Sequence, residues 1–338
     1  MKAQKAFYAL LFLTSILISC DFINASKDQK ILPSSSGKYG EVLVVVDTIY
    51  ENSEIGDQLR EIFNQAMPAL PQQETQFRMA TVAPKDFKSI LKRSRNVLQL
   101  KIKPKSKTAI QIQKDVWAKG QLLIDIVASS RQKAISILEK NKQRLRDFFN
   151  EEELKRLQKQ YRKSPLKKLM DTIRQELQVE ILIPPGYVKM SSDDNGIWLK
   201  KEKTVGQHQV MQGVAIYMIP YADSSFTTSN MIFERNKFCK EHIQGNRENS
   251  FMGVYEDFQP LKKEISLNGK YAQEYRGLWN MKNDFMGGPF IHYSFLNHKG
   301  DKIIHLDGFV FAPKFNKREY LRELEAIMRT AKPIAAER

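Results

Sequence analysis

The sequence predicts an α+β protein, with two mixed α/β domains and largely antiparallel sheets behind a removable N-terminal segment. Three observations carry this expectation. Strand-like and helix-like apolar patterns are mixed along the chain without a regular strand–helix–strand alternation. Several strand-like segments follow one another in the second half, two of them joined by Asn268-Gly269, the strongest hairpin turn in the chain. A composition of 42% hydrophobic and 10% aromatic residues over 338 positions is globular and long enough for two domains.

The first twenty residues read MKAQKAFYALLFLTSILISC. Lys2 and Lys5 precede an apolar run from Phe7 to Ile18, about the length of a signal-peptide core and too short to span a bilayer. Leu17-Ile18-Ser19-Cys20 then has the form of a lipobox. The cysteine thiol takes a diacylglycerol as a thioether, and the small residue before it fits the peptidase that frees the new terminus. Residues 1–19 are therefore read as a signal peptide and Cys20 as the lipidation site. Residues 20–36 are polar and irregular, a tether. Two or three acyl chains give stable anchoring, so the expected location is the bacterial cell envelope. Asp21 retains lipoproteins in the inner membrane of some bacteria, but sorting differs between lineages, and the outer membrane is favoured over the inner. With Cys20 lipidated, Cys239 is the remaining thiol and no intrachain disulfide forms.

Residues 37–178 are expected to form the first domain. EVLVVVD at 41–47 is an apolar, β-branched buried strand. Ile55, Leu59, Ile62, Phe63 and Ala66 form a helical stripe over 54–67, ended by Pro68 and Pro71. Strands follow at 76–83, 96–102, 108–117 and 121–128, with a short helix at 86–92. A long helical tract carries one stripe through Ile135, Leu138, Leu145 and Phe149 and another through Leu154, Leu157 and Tyr161. Pro165 restarts a helix through Leu166, Leu169, Met170, Ile173 and Leu177. Residues 179–332 form the second domain. Strands are expected at 179–183, 196–200, 214–219, 262–267, 270–278, 289–297 and 302–311, and helices at 229–243 and 316–330.

Charge is concentrated in the first domain. The chain is formally +16, and residues 85–178 hold 25 Lys and Arg against 10 Asp and Glu, a net of +15. A one-sided basic surface favours anionic partners: lipid head groups, acidic polysaccharide (glycan) or an acidic envelope protein. Nucleic acid is disfavoured by the envelope location. The bland alternative is a solvated helix face. The residues expected to carry partner binding are Lys155, Arg156, Lys159, Arg162, Lys163, Lys167 and Lys168.

The residues now assembled resemble a family of Gram-negative lipoproteins catalogued as a domain of unknown function, DUF4837. The matching stretches are LPSSSGKYGEVLVVVD at 32–47, DVWAKGQLL at 115–123, YRKSPLKKL at 161–169, RGLW at 276–279, DFMGGPF at 284–290 and GFVFAPKFNKREYLRELEAI at 308–327. They span nearly the whole mature chain. The resemblance implies a lipoprotein and no activity, cofactor or catalytic residue.

A ligand or acid–base site is the alternative. If Lys299-Gly300 is a two-residue turn, His292 lies opposite Asp307 and Ser294 opposite His305, so the four share one sheet face. Tyr293, Phe295, Ile304 and Leu306 then fill the other face. Such a site requires the four to converge in a cleft; otherwise they line the solvated face of a sheet. The glycine-rich segment 284–290 can serve as a binding lip or as a strand connection. Ser34 to Gly40 precedes its strand and lacks phosphate-loop spacing, so it is read as an ordered lead-in. Cys239 lies on an apolar helix stripe and is read as inert, although His242 is near it. No zinc-type cysteine set, HExxH, GxSxG or dinucleotide fingerprint is present, so no metal and no cofactor is expected and no catalytic residue is assigned. The expected role is that of a membrane-anchored, non-enzymatic binding or assembly component.

Overall fold

The computed structural model describes residues 31–335. The expected signal peptide, the expected lipidation site Cys20 and most of the expected tether lie outside the described residues. No described helix is long and apolar enough to cross a membrane.

The chain first builds a five-stranded sheet in the order β2-β1-β3-β5-β4. Its strands are β1 (Glu41–Val45), β2 (Arg78–Val82), β3 (Asn96–Ile102), β4 (Ala109–Lys114) and β5 (Leu122–Ala128). β1 pairs parallel with β2 and β3, and β3 parallel with β5; only β4 is antiparallel. The continuous apolar runs match burial on both faces of this sheet. Val42, Val44, Leu98 and Ile124 face one core with helices α2 (Glu54–Phe63), α3 (Arg131–Lys140) and α4 (Lys142–Tyr161). Val45, Val97 and Leu123 face the opposite side beneath Phe87 and Trp117. Strands covered on both faces carry no polar alternation. A short α1 (Thr48–Glu51) precedes α2, whose N-cap Ser53 accepts the Ile55 N–H.

The twenty-residue α4 serves two cores. Leu145 and Phe149 enter the first, where Phe63, Phe77 and Phe149 meet edge to face at 5.7–6.3 Å. Leu154 and Leu157, two turns on, pack against Ala326. The stripe rotates along the helix because its two ends face different partners. α5 (Lys167–Leu177) follows Pro165 and ends at Gln178 in a left-handed conformation, φ +51°. Although it precedes the expected boundary at 178, α5 places Ile173 and Leu177 in the carboxy-terminal core.

After the two-residue β6 (Val179–Glu180), an antiparallel sheet of eight strands follows. These are β7 (Val188–Ser192), β8 (Gly196–Val205), β9 (His208–Pro220), β10 (Phe251–Val254), β11 (Leu261–Leu267), β12 (Lys270–Lys282), β13 (Gly287–Leu296) and β14 (Lys302–Phe311). The order is β10-β12-β13-β14-β9-β8-β7, with β11 also on β12. Over the whole molecule pairing is thus largely antiparallel, as the α+β reading expects, and the parallel pairs are confined to the first sheet. Asn268 and Gly269 turn β11 into β12 at φ +51° and +83°. α7 (Arg318–Met328) covers one face through Leu321, Leu324 and Met328, against Ile291, Tyr293 and Leu306. α6 (Thr228–His242) covers the other, with Cys239 beside Trp279, Phe290 and Phe309. Gly213 leaves the space that the Phe309 ring fills, since a Cβ there would stand 2.1 Å from it. β15 (Lys332–Pro333) closes on β6.

Polar contacts join the halves. The buried Glu74 carboxylate accepts the backbone N–H groups of Lys317 at 2.6 Å and Arg318 at 3.1 Å, where α7 begins. Arg318 Nη1 donates to the Thr75 carbonyl and Arg322 Nη2 to that of Gln76.

Candidate functional site

The β13–β14 hairpin has the register that its turn predicts. Asn297 Oδ1 accepts the N–H groups of Gly300, Asp301 and Lys302, which fixes the bend. His292 stands opposite Asp307 and Ser294 opposite His305. The four do share a face, with Tyr293, Phe295, Ile304 and Leu306 on the other.

That face is neither a cleft nor a solvated surface. α6 lies over it, and His292, Ser294, His305 and Asp307 are each at most 1% exposed. Sequence reasoning missed the residue that completes the cluster. Met231, Arg235, Phe238 and Cys239 recur at helical spacing on the buried side of α6, so Arg235 points at the sheet. Its Nε–H donates to Asp307 Oδ1 at 2.9 Å, and its guanidinium lies 4.2 Å over the Phe290 ring. His292 Nδ1 is 3.2 Å from the same carboxylate oxygen. His292 Nε2 is 3.0 Å from His305 Nδ1, which is 3.1 Å from Ser294 Oγ.

These distances set the proton order. Asp307 is an acceptor, so His292 Nδ1 carries hydrogen; in the neutral ring Nε2 then accepts from His305 Nδ1–H. Burial pushes His292 below its usual range, and burial with the neighbouring His292 pushes His305 further down. Burial works to raise Asp307, but the Arg235 charge and the His292 hydrogen bond outweigh it and hold the carboxyl below its ordinary value. His305 Nε2, Asp307 Oδ2, Arg235 Nη1 and the Tyr217 hydroxyl are buried without a hydrogen-bond partner among the described residues. Tyr217 is sandwiched between His305, 4.9 Å away, and Phe238, 4.4 Å away. Burial pushes the Cys239 thiol up to about 12, an inert protonated state. The cluster is a charged strut between helix and sheet, closed to substrate.

The basic face is open. Lys159, Arg162, Lys163, Lys167 and Lys168 are exposed along the end of α4 and the start of α5, and make no ion pair among the described residues. Lys155 is exposed and pairs weakly with Glu151 at 3.6 Å. Arg156 departs from the expected binding set. Its side chain is 11% exposed and turned inward, donating to the carbonyls of Gly120 and Arg95, to Asn96 Oδ1 and to the fully buried Glu153. Four of its donors are thereby used, so Arg156 supports the face from below. A groove of about 630 Å³ is lined by Arg156, Lys159, Lys163, Pro184, Pro185 and, from β8, Lys201. Lys201 comes from a distant segment, so sequence spacing gave no sign of it.

In the segment 284–290, Phe285 is 92% exposed beneath the Arg247 guanidinium at 5.1 Å. Gly288 permits a close strand approach, because a Cβ would stand 2.0 Å from the Val310 carbonyl oxygen. Among the described residues, Asp193, Glu241 and His242 present possible ligand atoms within 4.8 Å of one another. Asp193 of that group and Ser191 of β7 each lie 3.1 Å from a His242 ring nitrogen, linking the end of α6 to β7 and the turn after it.

No curated protein matches the chain. Among solved structures, similarity reaches the Saccharomyces cerevisiae Ran-binding protein Mog1p at 10% identity and a TM-score of 0.31, over 46% of this chain and 90% of that one. A protein from Bacteroides thetaiotaomicron has 10% identity and a TM-score of 0.21, over 47% and 46% of the two chains. The human StarD13 lipid transfer and protein localization domain has 12% identity and a TM-score of 0.22, over 49% and 95%. Likenesses this low carry no inference about fold or function. Two family profiles divide the chain: residues 35–162 match a domain of unknown function, DUF8532. The DUF4837 match is shorter than the near-complete span expected, since the stretches at 32–47 and 115–123 fall within the other profile. Residues 166–330 match the family described as domain of unknown function DUF4837, which is the resemblance read in the sequence.

Proposed function

We propose that the chain is a lipid-anchored protein of the bacterial cell envelope that binds an anionic partner through a basic face and catalyses no reaction. The observation that carries this reading is the row of exposed cations, Lys159, Arg162, Lys163, Lys167 and Lys168, which make no ion pair among the described residues, with Lys159 and Lys163 lining a groove that Lys201 also lines. A cation left unpaired at a concave surface is available to a carboxylate or phosphate, and its attraction grows as salt is lowered. The face also lies near the point where the tether reaches the body. Ser35 Oγ and Arg156 Nε donate to the same Gly120 carbonyl, and the Tyr39 hydroxyl donates to Gln160 on α4. A partner on this face is therefore met close to the anchoring membrane.

Charge reversal tests the reading. Lys159→Glu, Lys163→Glu and Lys168→Glu together are expected to weaken co-isolation of envelope components at low salt, with the unfolding midpoint unchanged. Unaltered association at low salt would sink the proposal, because exposed electrostatics are strongest there.

A further inference from the structure

The tether reaches the body at a surface with its own character. The Pro33 carbonyl accepts the Lys119 N–H, Ser35 N–H donates back to the Lys119 carbonyl, and Ser36 exchanges backbone hydrogen bonds with Arg93 and Arg95. The chain is thus laced to the loop that contains the short 3-10 helix Ser89–Arg93. This loop is firmly based: Phe87 is buried and meets the Trp117 ring at 5.4 Å. Three residues beyond Phe87, Ile90 points into solvent and is 68% exposed, and Ile31 at the tether end is 97% exposed. Lys88 and Arg93 on the same loop are exposed cations, as is Lys119, whose backbone is hydrogen-bonded to Pro33 and Ser35.

An exposed isoleucine on a loop that is based on a buried phenylalanine and carries exposed lysine and arginine matches a bilayer interface, where the apolar side chain enters the head-group boundary and the cations meet lipid phosphates. We infer that this surface lies against an anionic leaflet, with Ile90 inserted and Lys88, Arg93 and Lys119 on the head groups. The inference rests on the lipid-anchoring reading. From Cys20 to Ile31 the chain spans at most about 40 Å when fully extended, at about 3.3–3.6 Å per residue. The anchor therefore keeps this surface within reach of the leaflet, and the two contacts reinforce each other through a high effective concentration.

The test uses the full acylated protein carrying Ile90→Cys labelled with an environment-sensitive fluorophore. Lipid occupies Cys20 and Cys239 is buried, and the labelled parent protein supplies the background. Vesicles of phosphatidylglycerol and phosphatidylethanolamine are compared with vesicles of phosphatidylcholine alone, and flotation reports anchoring separately. On the anionic vesicles the emission is expected to shift to shorter wavelength, and to lose the shift in high salt or with Lys88→Glu and Lys119→Glu. Protein that floats with the vesicles while the probe stays in water overturns the inference and leaves anchoring standing. An equal, salt-insensitive shift on phosphatidylcholine also overturns it, because the cations then play no part. Protein that does not float overturns the anchoring reading and this inference together.

Discussion

Arg235 and Asp307 form an ion pair 2.9 Å long with both side chains withdrawn from water, joining α6 to the β14 strand of the carboxy-terminal sheet. Breaking such a pair from one side leaves an uncompensated buried charge, which typically costs about 3–5 kcal/mol. Asp307→Ala and Arg235→Met are each expected to lose stability on that scale in urea unfolding. The double variant Arg235→Met, Asp307→Leu is expected to recover most of the loss. A loss in the double variant as large as the two single losses added together would show that the pair does not act as a unit.

The same cluster predicts acid sensitivity. Burial holds His292 and His305 below the ordinary histidine range, so the folded chain binds fewer protons than the unfolded one. Their contribution is fully present above about pH 6.5, the unfolded value, and is lost as pH falls below it. Asp307, also held low, adds a loss at still lower pH as it takes up a proton. Unfolding midpoints measured at pH 7.5, 6 and 5 should fall steadily. The slope above pH 5 should flatten in His292→Gln, His305→Gln.

Glu74 supplies from the amino-terminal half the acceptors that the first turn of α7 lacks in its own sequence, since Lys317 gives no side-chain cap. Glu74→Ala is expected to cost about 1–2 kcal/mol, the upper part of the range for a lost cap. Hydrogen exchange at the first α7 amides should accelerate, while exchange in β13 stays slow. Unchanged exchange at 318–320 would contradict the capping role.

Gly288 has no space for a side chain beside the Val310 carbonyl. Gly288→Ala should therefore destabilise by about 1–3 kcal/mol through a forced backbone shift. A tolerated alanine, judged by thermal unfolding, would mean that the first residues of β13 move easily against β14.

Much of this architecture is legible in the residues, and the failures have physical causes. The spans 96–102 and 302–311 carry enough apolar residues between clear turns to be bounded correctly, and the hairpin register follows from its turn. β7 and β10 were not legible: VKMSS has little apolar content, and four residues make a short pattern. Parallel pairing of β1 was also hidden, because a run such as EVLVV reads the same whichever way its neighbours point. The alternation in β13 implied either a cleft or a wet face; only the position of α6 decides that both faces are buried. Arg235 was masked by its charge, although its spacing to Cys239 placed it on the inner face. Arg156 showed the reverse, a cation counted with an exposed row whose donors turn out to serve Glu153 and three backbone or amide oxygens.

The central claim is that the row from Lys155 to Lys168 meets an anionic partner in the envelope. Crosslinking with mass spectrometry on the acylated protein in intact cells tests it most directly, comparing the parent with Lys159→Glu, Lys163→Glu, Lys168→Glu. The account predicts recurrent crosslinks from this face to one acidic neighbour, lost in the reversed protein while crosslinks within the body persist. The same neighbours captured equally by both proteins, through other surfaces, would contradict it.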